Sequence, residues 1–363
     1  MRPTTPNETQ GLAATIGQLA GVGQFDAAGV VIKGNIGRYP ELPKELSAQL
    51  GALIKGKQFE RAIRLVDLCL QHDEGNVFFL GRKVQALLGL NRHEEALQVA
   101  EVQVKLQPAN VIGLGLKTQA LLGLNRHEEA LQVAEVRVKL QPANVIGLGL
   151  KTQALLGLNR HEEALQVAEA QVKLQPANVI GLGLKTQALL GLNRHEEALQ
   201  VAEARVKLQP ADVIGLGLKT QALLGLKRHE EALEVAEAIV KLEPTAIVGQ
   251  ILRAQILFRG GQTGAAAEVV YGNLIKDGRA NFSLAVLAAK LAARGIYEER
   301  YDAVFSSPDS FFPLTPSQAG SLIKHRIARE EDPSVTDPFG DTIFDASRTY
   351  LFQPIDKLAR SIL

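Results

Sequence analysis

One string of residues occurs four times with almost no change. VIGLGLKTQALLGLNRHEEALQVAE begins at Val111, and near copies begin at Val145, Val179 and Val213. The step is 34 residues. A fifth copy begins at Val77 and departs mainly at its start, VFFLGRKV. Pro108, Pro142, Pro176, Pro210 and Pro244 keep the same step. A fixed period of this kind is the signature of a stacked array, in which each repeat is one supersecondary unit. A single helical hairpin cannot bury both of its apolar faces. Its neighbours in the stack must cover it.

The frame extends outward. Residues 43–76 fit through Leu46, Leu53, Phe59, Ala62 and Val66. Residues 9–42 fit more loosely, through Leu12, Leu19, Gly23, Phe25, Ala28 and Pro40. Beyond the near-identical copies, 247–280 fits through Leu257, Gly261 and Ala266, and 281–314 through Leu284, Leu291, Gly295 and Tyr297. The predicted organisation is a tail at 1–8 and nine units, 9–42, 43–76, 77–110, 111–144, 145–178, 179–212, 213–246, 247–280 and 281–314. A non-repeating segment, 315–363, follows. Outer units diverge because an end repeat faces water on one side.

Within 111–144 the pattern is helix, turn, helix. Leu114, Thr118 and Leu121 recur at helical spacing, as do Ala130, Ala134 and Val138. Gly123-Leu124-Asn125 makes the break, since Asn tolerates the left-handed conformation that ends many helices. Glu128 and Glu129 fall in the first turn of the second helix, where the helix dipole favours acids. Pro142 closes the unit, because the residue before a proline tends to leave the helix.

This unit resembles the tetratricopeptide repeat (TPR), whose pattern is W-x2-L-G-x2-Y, then A-x3-F, then P. Leu114 stands where Trp would, Lys117-Thr118 replace Leu-Gly, Leu121 replaces Tyr and Ala134 replaces Phe, while Ala130 and Pro142 match. The resemblance covers roughly residues 9–314. It implies an all-α fold, a right-handed α-solenoid of 34-residue helix-turn-helix repeats with a concave inner surface. A helical C-terminal cap completes the expected architecture. Gly113, Gly115 and Gly123 interrupt good helix formers, and each costs about 1 kcal/mol relative to Ala. Close helix contact, a compliant spring and simple duplication of drift all account for them.

The resemblance also implies that the first helix of each unit faces the concave side. Ile112, Gly115, Gln119 and Leu122 share one face of that helix. The array turns this face into ladders: Gln85, Gln119, Gln153, Gln187 and Gln221; Leu88, Leu122, Leu156, Leu190 and Leu224; and Ile112, Ile146, Ile180 and Ile214. A Gln amide both donates and accepts, so a row of them suits the backbone of an extended peptide. Arg82 is a lone basic residue beside the ladder, which argues against capture of a terminal carboxylate. Gln103, Arg137, Gln171 and Arg205 occupy a second-helix place that is usually Ala in the family. They read as long side chains reaching the rim. Cys69 takes that place in 43–76 and reads as a buried, inert thiol.

Composition narrows the function classes. The 363 residues carry 40 basic and 39 acidic side chains, a formal net of +1. Phosphate backbones need clustered Lys and Arg, so nucleic acid is not expected as a partner. A base-by-base RNA code also needs units that differ. No apolar run approaches a bilayer span, and the polar start MRPTTPNETQ lacks the apolar core of a secretory signal. A cytoplasmic protein without membrane insertion is the expectation. One cysteine excludes an internal disulfide framework. His93, His127, His161, His195 and His229 repeat, but packed helices stand 8–10 Å apart and metal ligands must share one ion at about 2 Å. No cofactor or metal is expected, and no nucleophile, base and orienter constellation is present.

In 315–363, Thr315-Pro316-Ser317-Gln318 reads as a capping box opening a helix to about Glu330. A loop and a last helix from Pro354 follow, with Phe311, Phe312, Phe339, Phe344, Tyr350 and Phe352 concentrated nearby. The expected function is a non-catalytic scaffold or adaptor that binds an extended protein or peptide in the groove. The competing reading is a self-associating structural protein, or a regulatory subunit using the aromatic C-terminal segment. Near-identical stacking faces favour self-association.

Overall fold

The computed structural model describes residues 6–244 and 247–277. Among the described residues there are sixteen α-helices and no strand. The chain divides into two compact units, 1–176 and 177–363. The first holds α1 (Pro6–Gly21), α2 (Phe25–Asn35), α3 (Leu42–Lys55), α4 (Phe59–Leu70), α5 (Val77–Gly89), α6 (His93–Leu106), α7 (Val111–Gly123), α8 (His127–Leu140), α9 (Val145–Gly157) and α10 (His161–Leu174). The second holds α11 (Val179–Gly191), α12 (His195–Leu208), α13 (Val213–Gly225), α14 (His229–Leu242), α15 (Ile247–Arg259) and α16 (Thr263–Asp277).

Successive helices pair along the chain. α1 begins at Pro6, inside the segment expected to be a tail. The expected unit 281–314, the cap over 315–363 and its aromatic cluster lie outside the described residues. Within the first unit α7 packs on α8, α8 on α9, and the first helices α5, α7 and α9 touch in sequence. Within the second unit α11, α12, α13 and α14 repeat that arrangement. Each unit is therefore a run of α-solenoid. No helix among the described residues is long and apolar enough to cross a membrane.

Short-range chemistry fixes the boundaries. Asn110 caps α7, its Oδ1 accepting from the backbone N–H of Ile112 and Gly113 at 3.0 and 3.1 Å. Asn76, Asn144, Asn178 and Asp212 open the corresponding first helices in the same way, satisfying amides that the helix itself leaves without partners. The first helices end through Asn91, Asn125, Asn159 and Asn193 at φ 57 to 59, the left-handed turn anticipated for Asn. The second helices start without a side-chain cap. Instead Arg126 forks onto Glu129, with Nε and Nη2 donating at 2.6 and 2.7 Å. Arg92, Arg160, Arg194 and Arg228 repeat that fork on Glu95, Glu163, Glu197 and Glu231.

Leucines and alanines build the core. Ala120, Leu121, Ala130 and Ala134 are wholly or almost wholly buried, with Leu114 beside them. Thr118 is buried too, and its hydroxyl donates to the Leu114 carbonyl at 2.8 Å. A Cβ on Gly123 would lie 2.6 Å from His93 Cε1, and one on Gly157 2.6 Å from His127 Cε1. Each of these imidazoles packs flat against the glycine that ends the next repeat's first helix. Gly123 and Gly157 are thus seats for histidine, the arrangement expected of close helix contact.

Cys69 is buried and free, as expected. Burial pushes its thiol pKa up to about 12, because an apolar surrounding disfavours the thiolate.

Candidate functional site

The candidate site is the face of the first helices that carries the glutamine ladder. In the first compact unit Gln85, Gln119 and Gln153 stand at one register of α5, α7 and α9, all half-buried. In the second, Gln187 and Gln221 do so on α11 and α13. Successive first helices touch within each unit, so equivalent amides recur along a continuous helix face. Gln119, Gln153, Gln187 and Gln221 make no side-chain hydrogen bond among the described residues. Gln85 differs: its Oε1 accepts from Arg82 Nη1 at 2.8 Å.

The apolar flanks are not uniform. Ile112 and Ile146 are 62% and 48% exposed. Leu88, Leu122, Leu156, Leu190 and Ile180 are half-buried. Ile214 and Leu224, expected on the same surface, are buried. Ile214 joins Ala202 and Leu218 in a core cluster against which Leu190 packs. The second unit therefore offers less apolar groove surface than the repeat pattern implies.

Charge near the face is largely committed. Arg82 also donates from Nε to Ser47 Oγ at 3.0 Å, and burial holds its pKa below the usual guanidinium value. Lys117, Lys151 and Lys219 turn to Glu101, Glu135 and Glu203 of the preceding second helices, at 3.2, 3.0 and 3.0 Å. Exposed pairs of this kind contribute little stability, but they engage the ammonium groups with the preceding second helices.

The second-helix polar residues do not reach the rim, and that expectation is corrected. Gln103 and Gln171 are 2% exposed, Arg137 and Arg205 6%. Gln103, Arg137 and Arg205 each lie between two first helices, over positions where glycine leaves room. A Cβ on Gly81 would stand 2.9 Å from Gln103 Nε2, and one on Gly115 2.6 Å from Arg137 Nη1. Arg205 takes the same room at Gly183. On the other side stand Gly113, Gly147 and Gly215 of the following repeats. The long side chain is thus trapped between glycines before it can extend to solvent. Gln103 and Gln171 meet their burial by donating Nε2 to the Val77 and Val145 carbonyls, both at 3.0 Å. Arg205 meets it through Asp212, whose Oδ2 lies 2.6 Å from Nε.

Sequence reasoning missed these residues as parts of the site. The signal was present: each Arg or Gln that replaces the family's Ala follows a helix glycine by 22 residues, as Gly115 with Arg137 and Gly183 with Arg205. A large residue where a small one is usual, paired with a missing side chain elsewhere, marks a filled notch.

No family model matches the sequence, and no curated protein matches it. Solved structures do match the fold. A tetratricopeptide repeat protein from Parabacteroides merdae aligns with 68% of this chain and 97% of its own, at 15% identity and a TM-score of 0.56. A chain of the APC/C hetero-tetramer Cut9–Hcn1 aligns with 73% of this chain and 51% of its own, at 10% identity and a TM-score of 0.58. The chain has the fold of tetratricopeptide repeat proteins.

Proposed function

We propose that the protein is a non-catalytic, cytoplasmic scaffold that holds an extended polypeptide along the first-helix face of its repeats. The observation that carries this reading is the recurrence of an uncommitted amide at one register of successive touching helices. Gln119 and Gln153 each present two donors and an acceptor, which fit a peptide backbone whatever its side chains. Exposed Ile112 and Ile146 stand on the same faces and supply apolar contact for alternate side chains. A scaffold role also agrees with a fold neighbour that is solved in a hetero-tetramer.

The test is binding of a pool of short, end-blocked, uncharged peptides to the full chain, followed by fluorescence anisotropy. Replacing all five ladder glutamines by Ala should weaken binding by about tenfold, because each lost hydrogen bond contributes about 0.5–1.5 kcal/mol and the bound segment spans only some of them. Circular dichroism should not change, since Ala is the better helix former. Unchanged affinity in a folded variant overturns the ladder reading.

A further inference from the structure

The ladder face has a floor, and the floor carries a charge. Gly115 stands one helical turn before Gln119 on the same face of α7. The volume its missing Cβ leaves open is occupied by the Arg137 guanidinium, which comes up from α8. Arg137 is buried, 6% exposed. Its Nε has no hydrogen-bond partner among the described residues. Nη2 has only a long 3.5 Å contact with Asn144 Oδ1. Nη1, the atom beneath Gly115, donates no hydrogen bond among the described residues. No carboxylate among the described residues acts on the group, and burial lowers its pKa.

The second compact unit shows what such a site ordinarily contains. Asp212 holds the register of Asn144 and pairs with Arg205 at 2.6 Å, both side chains being nearly buried. Asp212 keeps the capping role as well, accepting from the Ile214 and Gly215 amides. Asn144 caps through Gly147 alone and brings no negative charge. A guanidinium out of water without a counter-ion is costly, and it does not shed its proton. The first unit thus leaves open the carboxylate position that the second unit fills from within.

We infer that Arg137, in the notch of Gly115, is an anion-receiving point on the ladder face of the first unit, and that the polypeptide held there places an Asp or Glu side chain against it. The inference rests on the proposed groove reading and adds the chemistry of the partner. The backbone of the segment runs along Gln119 and Gln153, and its carboxylate enters beside Gly115, accepting from Nη1. Arg–carboxylate hydrogen bonds are about twice as strong as neutral ones, so one acid at one register dominates selection among sequences that the amides treat alike. The first unit selects for acid; the second, neutralised by Asp212, does not.

Two pools of short, end-blocked peptides test this on the full chain, identical except for one central Glu or Gln. The Glu pool should bind about tenfold more tightly. Asn144→Asp, which copies the tolerated arrangement of Asp212, should abolish that preference and leave Gln-pool affinity as it was. Arg137→Gln, which copies Gln103 and Gln171, should do the same. Equal binding of the two pools by the unmodified chain overturns the anion site while the groove reading stands. A Glu preference that survives both substitutions also overturns it, since the acid is then read elsewhere. Binding of neither pool overturns the groove reading and this inference together.

Discussion

Arg137 and Arg205 hold the same register of two repeats and are buried to the same extent, 6% exposed each. Their polar partners differ by one residue. Asp212 gives Arg205 a carboxylate at 2.6 Å, and Asn144 gives Arg137 an amide oxygen at 3.5 Å. Repeats that are nearly identical in sequence are therefore not equivalent in electrostatics. The pair in the second unit closes on itself and serves packing. Its counterpart in the first unit is incomplete, and incompleteness is what makes a binding point.

The largest expected effect comes from breaking the complete pair. Asp212→Ala leaves Arg205 buried without a counter-ion, which should cost about 3–5 kcal/mol, and removes a helix cap worth about 1 kcal/mol. Urea unfolding of the full chain should show the loss as a clear fall in midpoint. Asp212→Asn should cost less, because it recreates the cap and environment of Arg137. A midpoint for Asp212→Ala within error of the parent would mean the buried pair contributes no more than a surface bridge, and the comparison with Arg137 would lose its meaning.

A smaller effect separates glycines that hold a notch from one that does not. At Gly115 a Cβ would stand 2.6 Å from Arg137 Nη1, whereas at Gly217, where Ile239 replaces the arginine, it would meet nothing within 4 Å. Gly115→Ala should therefore displace the guanidinium and cost about 1–3 kcal/mol of packing, only partly offset by helix propensity. Gly217→Ala should gain up to about 1 kcal/mol from that propensity. Opposite shifts in melting temperature are the expected result. Equal gains at both positions would show that the glycines are unselected residue of duplication.

The helix-turn-helix pattern and the left-handed Asn turns were readable from the repeat, because each depends on local chemistry within a few residues; the capping by Asn110 and its equivalents is just as local but was not drawn from it. The stripe Leu114, Thr118 and Leu121 was readable for the same reason, through helical periodicity. The fate of Arg137 was not. Its family-typical substitute, a small buried Ala, made the rim the natural destination for a long side chain. What reverses this is Gly115, 22 residues earlier and on another helix, so the cause is a tertiary fit that no window along the chain contains. Ile214 was hidden likewise: its string matches those of Ile112 and Ile146, but only Ile214 is drawn into a cluster with Ala202 and Leu218. Identical local sequence fixes the helix and leaves exposure to the neighbours.

The smallest effect sharpens the contrast between buried and exposed ion pairs. Glu95, Glu129, Glu163, Glu197 and Glu231 all have carboxyl pKa values held below the usual range, chiefly by the hydrogen bond from the arginine three residues earlier. A lowered value means that the folded chain binds fewer protons than the unfolded one. Stability from these forks is then present above the unfolded glutamate pKa of about 4.3 and is lost as pH falls through the lower folded values. Melting temperature should accordingly decline as pH drops below about 4.3. These carboxylates are exposed, so salt should screen their contribution at higher pH. The Arg205–Asp212 pair lies out of water and should be far less sensitive to salt. Replacing Arg92, Arg126, Arg160, Arg194 and Arg228 by Lys, which cannot form the two-pronged contact, should flatten both the salt dependence and part of the acid decline. Salt and acid responses that persist unchanged in that variant would assign them to other charges.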